Sequence, residues 1–307
     1  MLGARDRRLA HLEAHLVGIA RSAKAPQKEE IGLGFGGEEV DAAALAGVER
    51  EHHMVPMRDG TRISAYVFTP SGSGTFPALL QQVYVDISGA AARFAEMAAK
   101  GYIVAVSNYR GCHLSEGRYT GYRALALGEH HDAYDTVEWL AAHPRCTGKV
   151  GTFGGSQGGI AQNFTAVDRP PSLVCSHMSN TALSLFEEGY RLGGLTRFGR
   201  FESAMTSHCR DPSDNAKLLQ EWQRHPDKDS WWDQEDTSLH FDKMDVPCFI
   251  QGSWYDYMNL GTIGSYLGRQ HQGGPNSRGA QRLLIGPVST VPFIMGCTAI
   301  LQFPPRG

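Results

Sequence analysis

Gly154-Gly155-Ser156-Gln157-Gly158 constrains this chain more than any other stretch. A strand-like run, residues 149–153, stands just before it, and a helix-compatible run, residues 157–167, just after. G-x-S-x-G between a strand and a helix reads as a nucleophile elbow, in which the serine sits on a sharp, strained turn. The glycines on either side let the backbone make that turn without a Cβ clash. The turn lifts the hydroxyl above the sheet edge, and the helix N-terminus favours negative charge developing there. A glycine-rich turn packing a helix onto a sheet would share these letters. A dinucleotide-binding turn fits worse, because the glycines do not read G-x-G-x-x-G and no ribose-binding acid follows.

The surrounding chain supplies the sheet that such an elbow needs. Residues 53–57 and 62–69 flank Arg58-Asp59-Gly60-Thr61, a D-G hairpin signal. Strands are predicted at 78–83, 102–107, 149–153, 173–177, 247–251 and 281–286, with helices at 90–100, 129–143, 157–167 and 260–269. This alternation predicts an α/β fold, a mostly parallel sheet with helices on both faces. Residues 180–243 break the rhythm with Arg, Glu, Asp, Trp and His, and a helix over 214–225 makes them a natural helical cap over the site. The division is therefore an N-terminal helical extension (1–47), a catalytic domain (48–179 and 244–290), a cap (180–243) and an apolar tail (291–307).

Composition narrows the partners. A formal charge of −3 over 307 residues argues against nucleic acid or a polybasic membrane role. Residues 1–25 carry too many charges for a secretory signal and read as an amphipathic helix. The six cysteines are scattered with no C-x-x-C, which points to buried thiols in a cytoplasmic setting. His130-His131 on a helix would point about 100° apart and chelate poorly, so no metal or cofactor is expected. Trp231, Trp232 and Trp254 could equally line an apolar pocket or pack the cap.

Taken in order, the motifs resemble the X-Pro dipeptidyl-peptidase-like hydrolases, which include cocaine esterase and the α-amino acid ester hydrolases. The resemblance runs over residues 52–288. It is carried by Met57-Arg58-Asp59-Gly60-Thr61-Arg62-Ile63, by Tyr109-Arg110-Gly111 with Ser115-Glu116-Gly117, and by the run from Asp132 to Leu140. Gly148 to Ser156, Gly252-Ser253-Trp254-Tyr255-Asp256 and Leu284-Ile285-Gly286-Pro287 complete it. It implies the α/β-hydrolase fold and serine-dependent cleavage of a small ester, amide or peptide through an acyl-enzyme. Ser156 is the candidate nucleophile, which needs an adjacent base because a serine hydroxyl is too weakly acidic to attack alone. Asp256 would orient a histidine. The Gln157 N–H would hold the oxyanion, since that donor comes from the residue after the nucleophile. The resemblance makes Tyr84 the second donor, although Val83 stands where the family usually has proline.

One member of the triad is missing. The resemblance implies a histidine shortly after Gly286-Pro287, where Thr290 stands, and no histidine follows His271. Residues 283–305 carry no charged side chain and are broken by Pro287, Pro292 and Pro304, too interrupted for a good transmembrane helix. The family's C-terminal β-sandwich is expected to be absent. The simplest expectation is a reading-frame change near residue 288, giving a catalytically inactive member. The rival is a short paralogue that recruits His271 from a loop as its base.

Overall fold

The computed structural model describes residues 45–90, 92–192, 195–197 and 205–287. The expected N-terminal helix, Thr290 and the tail at 291–307 lie outside the described residues. Eight strands form one sheet: β1 (Val48–Pro56), β2 (Arg62–Pro70), β3 (Phe76–Val83), β4 (Ile103–Asn108), β5 (Cys146–Gly155), β6 (Leu173–Ser179), β9 (Cys248–Ser253) and β10 (Arg282–Gly286). Their order across the sheet is β1-β2-β4-β3-β5-β6-β9-β10. β2 is antiparallel to β1 and to β4, and every later pair is parallel. β7 (Arg191–Leu192) and β8 (Leu195–Thr196) make a separate small antiparallel pair in the cap.

Among the described residues the α-helices are α1 (Ala92–Ala99), α2 (Asp132–Ala141), α3 (Gln157–Asp168), α4 (Pro212–Arg224) and α5 (Asn259–Gln272). Side chains alternate across a strand, so β4 reports both faces of the sheet. Val104 and Val106 pack with Phe94 and Ala98 of α1, whereas Ile103 and Ala105 pack with Val137 and Leu140 of α2. Helices therefore cover both faces, and all six residues of β4 are buried. α3 lies against β5 with ten of its residues from Gly158 to Val167 buried. Its inner side, Ile160, Ala161 and Phe164, joins the cap residues Leu218, Leu219, Trp222 and Trp232 in one apolar cluster.

Three sequence motifs meet in one ion network. Arg110 is 4% exposed and donates to both oxygens of Asp132, at 2.8 and 2.6 Å. Its other nitrogen donates to Asp59 and to the Thr61 hydroxyl, each at 2.8 Å. The hairpin, the arginine-glycine loop and the start of α2 are thus tied by one guanidinium, whose planar fork matches two carboxylates at once. The Arg110 hydrogen bonds hold the Asp59 carboxyl down to about 2.

Some predicted boundaries move. The helix expected over 129–143 begins only at Asp132, because the Asp132 and Ala133 amides donate to Ala124 and Leu125 of the preceding loop. His130 and His131 therefore precede the helix and face separate carboxylates, Asp59 at 3.4 Å and Asp168 at 2.7 Å. The helix expected over 260–269 runs on to Gln272, and its stop is Gly273, whose N–H donates to the Arg269 carbonyl. Among its described residues the cap holds the α-helix α4, a π-turn at Leu185–Gly189, two 3-10 turns, Ser230–Glu235 and Thr237–Lys243, and the β7–β8 pair. Asp211 opens α4 as an N-cap, accepting from the Ser213 N–H.

Candidate active site

Ser156 stands at the junction of β5 and α3 with φ of 53° and ψ of −117°. A left-handed φ on a non-glycine residue costs on the order of 1–3 kcal/mol and persists only where neighbours enforce it. Here they do: the Ser156 N–H donates to Ser179 at 2.9 Å, and its carbonyl accepts from Gly159 and Ile160. Gly154 carries φ of 134°, which a side chain would strain. The turn thus leaves the serine at the C-terminal end of the parallel strands, where ligands bind in open α/β sheets.

Gln157 is fastened on two sides. Its side-chain oxygen accepts the Tyr84 N–H at 2.7 Å, and its carbonyl accepts the Tyr109 hydroxyl at 2.8 Å. The first residue of α3 is therefore fixed to the ends of both β3 and β4. Tyr109 is fully buried, and burial pushes its hydroxyl well above the usual phenol range, so it stays a neutral donor. Tyr84, immediately beyond β3, lines the same pocket as Ser156.

That pocket is an open cleft of about 380 Å³, counting the space it shares with solvent. Tyrosines 84, 119, 122, 190 and 257 dominate its walls, with Ile160, Leu185, Met205 and Met258 between them. Its lining has no charged side chain among the described residues. Trp231, Trp232 and Trp254 do not line it: Trp232 is buried in the cap against Trp231 at 4.8 Å, and Trp254 is 59% exposed.

Asp256 is 6% exposed on the loop after β9. Its Oδ1 accepts the Met258 N–H at 2.7 Å, and its next two neighbours, Tyr257 and Met258, line the Ser156 pocket. The loop is pinned to the last strand by the Trp254 N–H, which donates to the Gly286 carbonyl at 3.0 Å. Residues 288–290, where the resemblance implies a histidine, follow directly and lie outside the described residues.

His271 does not meet Asp256. It is exposed on the last turn of α5, not on a loop, twelve positions from the end that carries the acid. At 1.5 Å per residue that is about 18 Å along the helix. No histidine lines the Ser156 pocket among the described residues.

Two features escaped the sequence. Glu188, on the π-turn of the cap, accepts the Leu183 N–H at 3.1 Å and the Gly261 N–H in the first turn of α5 at 2.5 Å. It ties the pocket wall to the helix that follows Asp256, and burial raises its carboxyl to about 7. His208 of the cap lies against the Tyr84 ring at 5.5 Å, with its Nδ1 3.3 Å from His113 Nε2. Burial, with His113 beside it, drives the His208 imidazole down to about 4, so it is neutral at physiological pH. Neither residue has a motif; each is found only through a partner distant in the chain.

A sheet of this order with a serine on a left-handed elbow defines an α/β-hydrolase. A sequence profile of the X-Pro dipeptidyl-peptidase (S15) family matches residues 59–210 and 198–289, and the chain belongs to that family of hydrolases. The cocaine esterase of Rhodococcus sp. (strain MB1 Bresler) is 25% identical over 284 residues, covering 77% of this chain and 48% of that protein. The solved structure of an α-amino acid ester hydrolase superposes with a TM-score of 0.69 at 21% identity, over 88% of this chain and 52% of the other. A CocE/NonD family hydrolase from Staphylococcus aureus gives 0.65 at 21% identity, over 80% and 46%. The chain spans about half the length of these relatives.

Proposed function

We propose that this chain is built for serine-dependent cleavage of a small ester or amide through an acyl-enzyme. The carrying observation is Ser156, held at φ of 53° beside Gln157 and, with Tyr84, in the lining of a tyrosine-rich pocket. In this reading the Ser156 hydroxyl attacks the substrate carbonyl. The Gln157 N–H, at the helix N-terminus, and the Tyr84 hydroxyl receive the oxyanion. Asp256 orients the base and stabilises its positive charge. The reading requires no metal or cofactor, takes a small-molecule or short peptide substrate, and assigns the protein to the cytoplasm. No described helix is long and apolar enough to cross a membrane.

A second reading, a hydrolase scaffold without activity, is favoured by one observation. Thr290 stands near where the resemblance implies a histidine, and His271 stands at the far end of α5 from Asp256. Loss of a triad base lowers the rate by several orders of magnitude.

Labelling with a fluorophosphonate probe separates the two, because such probes react usefully only with an activated serine. Labelling of the folded protein that vanishes in Ser156→Ala supports the acyl hydrolase. Absence of labelling in a folded sample overturns it in favour of the silent scaffold.

A further inference from the structure

We propose that Cys112 and Cys209 form a cross-strand disulfide under oxidising conditions, fastening the cap to the loop after β4. The two residues pair as an isolated antiparallel bridge. The His113 N–H donates to the His208 carbonyl at 3.1 Å, and the Arg210 N–H to the Gly111 carbonyl at 2.8 Å. These bonds flank the cysteines and make them a non-hydrogen-bonded pair. Such pairs hold their Cα atoms about 4.5 Å apart and their side chains on one side of the ladder. Disulfides span Cα separations of about 4.4–6.8 Å, so the bond closes without moving the backbone. Both thiols are free and belong to one buried cluster with Tyr109 and Tyr119. The Cys209 sulfur accepts the Asn215 N–H, a hydrogen bond that closure gives up.

The oxidant is a low-molecular-weight disulfide such as oxidised glutathione. One cysteine thiolate attacks it, releasing one small thiol and leaving a mixed disulfide. The second cysteine then attacks the protein-bound sulfur and expels the other small thiol. Two protein thiols become one disulfide, and their electrons and protons leave on two small thiols. Burial pushes Cys209 up to about 12 and Cys112 well above its ordinary value, so thiolate is scarce in the closed form. The reaction is therefore slow and proceeds as the cap opens locally. Met205, four residues before Cys209, lines the Ser156 pocket, so the bond also fixes one pocket wall. None of this depends on whether Ser156 is active.

The test is incubation of the whole folded chain with oxidised glutathione at mildly alkaline pH, followed by tryptic mapping without reduction. Cleavage after arginine places the cysteines in peptides 111–118 and 201–210. The expected product is these two peptides joined, two hydrogens lighter than their sum and released by dithiothreitol. Its formation should raise Tm on the order of 5–10 °C over the reduced protein, and Cys209→Ser should abolish both changes. The exposed Cys175 reports that the oxidant reached the protein. Recovery of both peptides as separate thiols or mixed disulfides while Cys175 is modified overturns the proposal. A joined pair with unchanged Tm overturns the claim that it fastens the cap.

Discussion

Ser156 shows how a single residue can trade stability for position. Its φ of 53° is a conformation that glycine adopts freely and serine does not. Ser156→Gly should therefore raise stability by about 1 kcal/mol in a urea titration while removing the proposed nucleophile. Equal or lower stability would mean that the serine side chain makes up the strain locally. The elbow was legible in the sequence because its chemistry is local: five consecutive residues between a strand and a helix. Glu188 was not, since its two backbone donors lie at Leu183 and Gly261, and no spacing announces a carboxylate that bridges a cap to a distant helix. The same holds for His113 with His208 and for Cys112 with Cys209, which look scattered until the chain folds.

Among elements, the hairpin, the arginine-glycine loop and the start of α2 behave as one unit through Arg110. Its Asp132 partner is 4% exposed in its side chain and accepts two hydrogen bonds from the guanidinium. Arg110→Met keeps the stem but leaves a buried carboxylate unpaired, with an expected loss of about 3–5 kcal/mol by chemical denaturation. A loss below about 1 kcal/mol would show that Asp132 finds water or another donor. Strand positions were readable from apolar runs and helix ends less so, for a physical reason. Asp132 looks like an interior residue of a helix from 129, yet the loop carbonyls of Ala124 and Leu125 capture the amides at its start. From the sequence this helix is expected to end at Arg269, which leaves His271 on a loop, but nothing stops the helix before Gly273.

Across the whole molecule, buried titratable groups set opposing trends with pH. Burial raises Glu235 from 4.5 to about 8 and Glu188 to about 7. Between 4.5 and those values the folded state binds more protons than the unfolded chain, so stability falls as pH rises. His208 is lowered from 6.5 to about 4. Between those values the unfolded chain binds more protons, so stability rises with pH. Two carboxyls outweigh one imidazole, so these three groups together make Tm decline from about pH 4.5 up to about 8. Glu235→Gln should flatten the decline between about 7 and 8 in thermal scans. A wild-type Tm that rises through that window would contradict the assignment.

The last strand has a consequence for the order in which the molecule comes apart. Among the described residues β10, five residues long, sits at the edge of the sheet and pairs with β9 alone, yet its final carbonyl pins the loop that bears Asp256. Edge elements of this kind open at a lower free energy than a central strand such as β5, which is paired on both sides. The Asp256 loop therefore belongs to a less cooperative layer than the centre of the sheet. Amide hydrogens from Arg282 to Gly286 exchange ahead of those in β5, and the geometry around Asp256 dissolves while the elbow that holds Ser156 is still native.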